Sequence, residues 1–312
     1  MNKILVTGGA GFIGSHLCDA LIARDHRVTV VDNLVLGTKR NIAHLLSNPN
    51  FRFIETDVLD DAVMHAVFEQ GNFDMVYHLA ANSDIQKGGQ DPMVDYQMTF
   101  NTTFQILQYL KEFHIRKFFF ASTSAIYGET RDVLHENYGP LCPVSNYGAG
   151  KLASEAFISA FSSMYHIQTW ITRFPNVVGE RFTHGVIYDF IHKLQQNPHE
   201  LLVLGNGEQC KPYVYVKDLV NGILYVTDHA SELYNVYLLG SNTRTKVRDI
   251  AAMVIEEMGL DARIRYTGGD RGWVGDVPEF RYDLSKINAL GWQAAHDSDA
   301  SVRLAIQKAL GK

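Results

Sequence analysis

Tyr147 and Lys151, in S-N-Y-G-A-G-K (145–151), stand four residues apart and fall on one face of any helix built through them. A phenol with a reference pKa of about 10 is a poor base at neutral pH. An ammonium beside it favours the phenolate and lowers that pKa, and the phenol then becomes a usable proton acceptor. A second chemically loaded stretch precedes the pair. Residues 121–128 read A-S-T-S-A-I-Y-G, three hydroxyls (Ser122, Thr123 and Ser124) followed by the bare methyl of Ala125. A hydroxyl at a strand end commonly satisfies backbone groups, and Ser122 is read that way. Tyr-x-x-x-Lys alone is a common spacing, so its meaning depends on what positions it.

The first half of the chain supplies that context. Short apolar runs at 3–7, 28–32, 51–55, 75–79, 117–122 and 168–174 are rich in β-branched and aromatic residues and apolar on successive positions. Strands of this kind are buried on both faces, as in a parallel sheet covered by helices. The segments 12–25, 60–70 and 99–114 carry apolar residues at three- and four-residue intervals and read as helices. Repeated β-α units in this order predict an α/β, doubly wound parallel sheet of Rossmann type. The first strand enters T-G-G-A-G-F-I-G, with Gly8, Gly11 and Gly14 three apart before an amphipathic helix. Such a turn lets the backbone approach a pyrophosphate at the positive end of the helix. Asp32 ends the second strand about 20 residues later, where a carboxylate accepts from adenosine ribose hydroxyls and repels a 2′-phosphate. The cofactor expected is therefore NAD rather than NADP.

After Gly179 the texture changes. Helical stretches at 186–196, 217–229 and 247–258 alternate with short strands at 201–204 and 236–239. The glycine-rich segments 205–209 and 267–276 read as binding loops. The expected division is a dinucleotide-binding domain over 1–179 and a smaller α/β substrate lobe over 180–312, from which elements can return to the sheet.

Composition narrows the partners. A formal net charge of −6 with no basic run speaks against a nucleic-acid or anionic-membrane surface. No stretch approaches the ~18 apolar residues of a membrane span. Cys18, Cys142 and Cys210 are odd in number and far apart, which fits neither a disulfide framework nor a zinc set, so a reducing cytoplasm is expected. The thirteen histidines show no metal-ligand spacing, and no metal is expected.

The spacing Gly-x-x-Gly-x-x-Gly, Asp57-Val58, H-L-A-A (78–81), Tyr147-x-x-x-Lys151 and R-F-P-N-V-V-G (173–179) occur here in one order. In this the chain resembles the extended short-chain dehydrogenase/reductase superfamily, its NAD-dependent nucleotide-sugar epimerases and dehydratases. H-G-V-I-Y-D-F (184–190) and R-G-W-V-G-D-V-P (271–278) look most like the compact, archaeal-type UDP-glucose 4-epimerases. The resemblance implies that Phe12, Ile13, Asp32, Asn33, Asp57, Val58, Leu79, Ala80, Ala81 and Asn101 line the dinucleotide. It implies that Tyr147 takes a proton from a sugar hydroxyl, that the positive nicotinamide ring joins Lys151 in favouring its phenolate, and that Lys151 also holds the nicotinamide ribose. A Ser or Thr three residues before the hydrophobic residue of the Ile-Tyr-Gly motif is Thr123 here, with Ser124 able to assist. It further implies Asn176 near sugar and phosphate, and Arg271 as a phosphate ligand. Lys211 stands where the family carries an Arg, keeping the charge but losing the bidentate fork. Trp273 is offered for stacking or as a loop anchor. A homodimer, joined through the helices after Pro92 and around Tyr147, follows from the same likeness.

Ala125 discriminates within the family. The 4,6-dehydratases place Asp-Glu after the Thr, the decarboxylases keep a Glu, and 3,5-epimerases put a Cys there. A methyl transfers no proton, which leaves reversible oxidation alone: oxidise the sugar, rotate the ketone, return the hydride to its other face. The expected activity is NAD-dependent 4-epimerisation of a nucleotide sugar, with UDP-glucose/UDP-galactose first. The alternatives are epimerisation at another carbon or on a CDP- or GDP-sugar, a keto-sugar reductase, and an NAD-binding sensor without catalysis.

Overall fold

The computed structural model describes residues 1–272 and 277–312. Along the chain run β1 (Lys3–Thr7), α1 (Phe12–Ala23), β2 (Arg27–Asp32), β3 (Phe51–Glu55), α2 (Asp61–Gly71) and β4 (Met75–His78). Then come α3 (Ile85–Gln90), α4 (Pro92–Asp95), a π-helical turn (Tyr96–Asn101) and α5 (Thr102–Glu112). β5 (Lys117–Thr123) leads through a 3₁₀ turn (Ser124–Tyr127) to α6 (Asn146–Tyr165) and β6 (Gln168–Phe174). The remainder is β7 (Asn176–Val178), α7 (Val186–Gln196), β8 (Glu200–Val203), β9 (Cys210–Lys211), β10 (Tyr213–Tyr215), α8 (Val216–His229) and β11 (Tyr234–Leu238). It ends with β12 (Thr245–Lys246), α9 (Val247–Met258), β13 (Arg263–Tyr266), α10 (Ser285–Leu290) and α11 (Ser298–Ala309).

Seven strands form the central sheet in the order β11-β6-β5-β4-β1-β2-β3. The pairs β1–β2, β2–β3, β1–β4 and β4–β5 are parallel. The order runs outward in opposite directions from β1 and β4, so the crevice for a ligand opens beyond the carboxyl ends of those two strands. Leu5, Val31, Val76, Phe118 and Phe120 of the sheet pack against Met64 and Phe68 of α2, Ile106 and Leu110 of α5, and Ile158 and Phe161 of α6. Burial on both faces is why these strands read as continuous apolar runs.

The chain forms two compact units, and neither is continuous in sequence. The first comprises residues 1–126, 143–173 and 223–237, and the second 127–142, 174–222 and 238–312. This differs from a single boundary at 179. Residues 234–237 return as part of β11 because their alternate apolar residues complete the sheet edge beside β6. Residues 127–142 join the second unit because Leu134 exchanges backbone hydrogen bonds with 281–283, at 2.8 and 2.9 Å, and Glu136 accepts from the Leu238 amide. The second unit has its own core: Ile187, Phe190 and Leu194 of α7, Leu201 and Val203 of β8, Ile250 and Val254 of α9, and Val302 and Ile306 of α11. Among the described residues no helix is long and apolar enough to cross a membrane.

Candidate active site

At the carboxyl end of β1, Gly8 adopts φ +73° and its amide donates to the Val31 carbonyl at 2.8 Å. A Cβ on Gly8 would lie 2.7 Å from the Ala80 nitrogen, and one on Gly14 only 2.2 Å from the Gly8 carbonyl oxygen. Both glycines are therefore demanded by the turn itself. Gly11 differs: a Cβ there would meet only the Gly8 carbonyl, at 3.1 Å, and otherwise open space. Gly11 is the N-cap residue of α1 and brings no side chain to cap it, so Phe12, Ile13 and Gly14 begin a helix whose positive end faces that space.

Asp32 closes one side of the turn. Its Oδ2 accepts from the Ala10 amide at 2.9 Å and its Oδ1 from the Leu34 amide at 2.8 Å. Burial pushes its carboxyl pKa up while these backbone donors pull it down. Asn33 donates to Asp57 at 2.7 Å, and Asp57 also accepts from the Leu59 amide, with Val58 buried between. Leu79 and Ala80 are tied to Thr7, through its carbonyl at 3.0 Å and its hydroxyl at 3.4 Å, and Ala81 follows. These residues thus gather at the ends of β1 to β4. An open space over a helix N-terminus, with a carboxylate hydrogen-bonded to the same turn, fits a dinucleotide with a free 2′-hydroxyl.

The residues expected to react lie on β5, the 3₁₀ turn after it and α6. Ser145 caps α6, its Oγ accepting from the Gly148 amide at 3.1 Å. Gly148 lets the helix sit on the 3₁₀ turn, because a Cβ there would come within 2.6 Å of the Ala125 carbonyl oxygen. This packing brings the Tyr147 side chain into a hydrogen bond with Thr123. Thr123 Oγ1 also accepts from the Ala125 amide at 3.1 Å. Ser124 is buried at the start of the turn. Lys151, one helical turn beyond Tyr147, is 2% exposed. Its Nζ donates to the Ala121 carbonyl at 2.7 Å and lies 4.5 Å from the centre of the Phe120 ring.

Two sequence expectations are corrected here. Lys151 alone does not bring Tyr147 below an ordinary phenol: burial pushes it up to about 12, the Thr123 hydrogen bond opposes this, and the Asp95 charge adds to it, so the expected lowering falls to the lysine and the nicotinamide ring acting together. The ammonium is engaged by β5 and is itself lowered to about 7 by burial. Ser122 does more than satisfy a strand end. Its hydroxyl donates to Glu155 at 2.5 Å, and Glu155 holds Arg173 through two contacts of 3.1 and 2.6 Å.

Asn101 donates to Gln97 at 2.9 Å within its own π-helical turn. Within that turn Thr99 also packs against α6, fully buried and bonded to Asp95 and to the Asn82 amide. Neither Asp95 nor Thr99 carries a sequence motif that pointed to it. His78 is also fully buried, between the Thr7 and Thr103 hydroxyls at 2.7 and 3.1 Å, and burial depresses its pKa to about 3. It is a neutral strut rather than a titrating group.

Asn176, Lys211 and Arg271 belong to the second unit. Asn176 is exposed on β7 and pairs in register with Tyr213 of β10. Lys211 lies on β9 opposite Thr245 of β12. Arg271 Nη2 is held by both oxygens of Glu129, at 3.0 and 2.8 Å. Trp273 lies outside the described residues. Among the described residues no His, Cys, Asp or Glu cluster is arranged to hold a metal.

The family model for NAD-dependent epimerases and dehydratases matches residues 4–240. The chain belongs to that family. Its cofactor is NAD, and the geometry of the glycine turn and Asp32 agrees with it. A protein of Methanocaldococcus jannaschii provisionally named UDP-glucose 4-epimerase is 32% identical over 308 residues, covering 96% of each chain. The structure of Thermotoga maritima UDP-glucose 4-epimerase with UDP-glucose superposes with a TM-score of 0.89 at 30% identity, over 99% of this chain and 98% of that one. UDP-glucuronic acid decarboxylase 1 of Xenopus tropicalis is 31% identical over 302 residues, 94% of this chain and 68% of the other. The family and the nucleotide-sugar chemistry are therefore common ground, while these relatives differ in reaction.

Proposed function

We propose that this family member is a 4-epimerase of a nucleotide-diphosphate hexose, with UDP-glucose and UDP-galactose as the first pair. The observation that carries the reading is the composition of the reactive centre. Thr123 and Tyr147 share a hydrogen bond, Lys151 stands beside them, and Ala125 occupies the position where a third proton-transferring group is needed for elimination or decarboxylation. NAD, when bound, supplies a hydride acceptor that returns the same hydride. Tyr147 receives the proton of the sugar 4-hydroxyl as its carbon is oxidised, and gives it back after the ketone has presented its other face. Thr123 holds the reacting oxygen through both states, and Ser124 lies next to it. Lys151 orients the nicotinamide ribose, and its charge together with the positive nicotinamide ring of bound NAD would favour the phenolate. Asn176, Lys211 and Arg271 supply donors and positive charge for the diphosphate.

No net oxidation occurs, so turnover needs no added cofactor. The test is isotopic. A substrate carrying deuterium on C4, incubated in ordinary water, yields a 4-epimer that keeps the deuterium, because the hydride leaves and returns without meeting solvent. Loss of the label, or an epimer at another carbon, contradicts the reading. UDP-linked sugars are favoured over CDP- and GDP-linked ones by the Methanocaldococcus and Thermotoga relatives. We further infer a cytoplasmic homodimer joined across α5 and α6. Phe100, Phe104 and Phe157 form an aromatic ridge there, with centroids 5.3–5.4 Å apart at Phe157, and Tyr96, Phe157 and Met164 are exposed. Sedimentation equilibrium of the purified protein decides it.

A further inference from the structure

Asp95, the last residue of α4, is a carboxylate with 1% exposure. Its Oδ1 accepts from Asn82 Nδ2 at 2.9 Å and from the Thr99 hydroxyl at 3.3 Å. Its Oδ2 is buried with no hydrogen-bond partner. The chain makes room for that oxygen with a glycine: a Cβ on Gly88 would lie 1.9 Å from it. An unmatched buried carboxylate is costly and calls for a nearby positive charge.

The helix face carrying the reactive pair supplies one. Tyr147, Gly150, Lys151 and Ser154 fall on one face of α6. A Cβ on Gly150 would be 3.4 Å from the Asp95 carbonyl oxygen and 3.2 Å from Thr99 Cγ2, and Ser154 Oγ reaches the Thr99 carbonyl at 3.5 Å. A second thread joins the same parts, since the Gly88 carbonyl accepts from the side chain of Asn146, the neighbour of Tyr147, at 2.9 Å. The other charges in this region are accounted for. Glu155 is matched by Arg173 and Ser122, His78 is neutral, and Asp84 uses its Oδ1 to cap α3. Among the described residues of this region, Asp95 and Lys151 are buried opposite charges without an ion pair of their own, and Glu155, though held by Arg173, also lends its charge to Lys151.

We propose that Asp95 is a positioning residue for the Tyr147–Lys151 pair, a buried counter-charge that keeps Lys151 an ammonium. This rests on the reading of Tyr147 and Lys151 given above. Burial lowers the amine to about 7, and the charges of Glu155 and Asp95 are what hold it up. Asp95 also raises Tyr147, so the one carboxylate acts on both members of the pair.

The test is Asp95→Asn in the holoenzyme, which preserves shape and removes charge. Both limbs of the pH–rate profile then move to lower pH, by on the order of one unit, because Lys151 loses its proton earlier and Tyr147 ionises earlier. A profile reduced in height with unmoved limbs, or moved to higher pH, overturns the proposal. Titration of the Lys151 ¹³Cε resonance in ¹³C-lysine-labelled holoenzyme, assigned with Lys151→Arg, reads the same shift without turnover. A midpoint unchanged by Asp95→Asn likewise overturns it. Tyr147→Phe run alongside keeps the two ideas separate: full turnover in that variant defeats the catalytic reading, while the lysine titration still decides the role of Asp95.

Discussion

Removing Glu155 is predicted to destabilise the first unit severely. Glu155 and Arg173 have side chains 5% and 6% exposed, joined by contacts of 2.6 and 3.1 Å, with the Ser122 hydroxyl as a third partner. Glu155→Ala removes the carboxylate that holds the buried Arg173 guanidinium, a loss of about 3–5 kcal/mol. The Ser122 hydroxyl also loses its acceptor, adding about 1 kcal/mol. A total of roughly 4–6 kcal/mol corresponds to a fall in Tm on the order of 6–9 °C for a protein of this size. Urea denaturation followed by tryptophan fluorescence gives the free energy, and calorimetry gives the Tm. The double variant Glu155→Leu/Arg173→Met removes both charges and is expected to recover most of the loss, since a buried pair replaced by apolar side chains is often neutral. A single variant that costs less than about 1 kcal/mol, or a double variant no more stable than the single, refutes the view that this pair is held by mutual compensation.

Tyr147→Phe keeps the ring and removes the hydroxyl bonded to Thr123; turnover is expected to fall by about 10²–10⁴-fold with retained NAD and an unchanged circular dichroism spectrum. Gly11→Ala meets only the Gly8 carbonyl and so is expected to fold normally but to purify without NAD, whereas Gly14→Ala clashes within the turn and lowers Tm; bound nucleotide measured after acid release separates the two. His78 has its folded pKa depressed from 6.5 to about 3, so the unfolded chain binds the extra proton between those values. Its contribution is fully present above pH 6.5 and is lost as pH falls toward 3, at up to ~1.4 kcal/mol per pH unit. Urea midpoints between pH 7 and 4 should show this slope, and His78→Gln should flatten it.

What could be read from the sequence was local. β1, β3 and β6 have the bounds their apolar runs suggest: β1 and β6 are buried along almost their whole length, while β3, at the sheet edge, buries Phe51 and exposes Arg52 and Glu55. The glycine turn, Asp32 and the Tyr147–Lys151 pair are legible because each is a fixed spacing within one strand, turn or helix. Contacts made across the fold were not legible. The helix expected from residue 99 begins as α5 only at Thr102, after a π-helical turn that aims Thr99 at α6 and turns Asn101 onto Gln97. No periodicity marks such a turn. Asp95 gives no sign of being buried until Gly88, Asn82 and Gly150 are brought around it. Glu155 reads as an ordinary surface helix residue until Arg173, on β6, reaches it. Lys151 presented the same difficulty, since its tie to the Ala121 carbonyl is what separates its actual environment from that of a free ammonium.

The central claim is that a centre holding Thr123, Tyr147 and Lys151, with Ala125 in place of a third acid, performs only reversible oxidation at C4. A proton NMR time course of the purified protein, without added NAD, against UDP-, CDP- and GDP-hexoses tests it most directly. The account predicts that one UDP-hexose is converted to its 4-epimer until a fixed ratio is reached, with no other product. A dehydrated 4-keto product, a decarboxylated sugar or a different stereoisomer contradicts it.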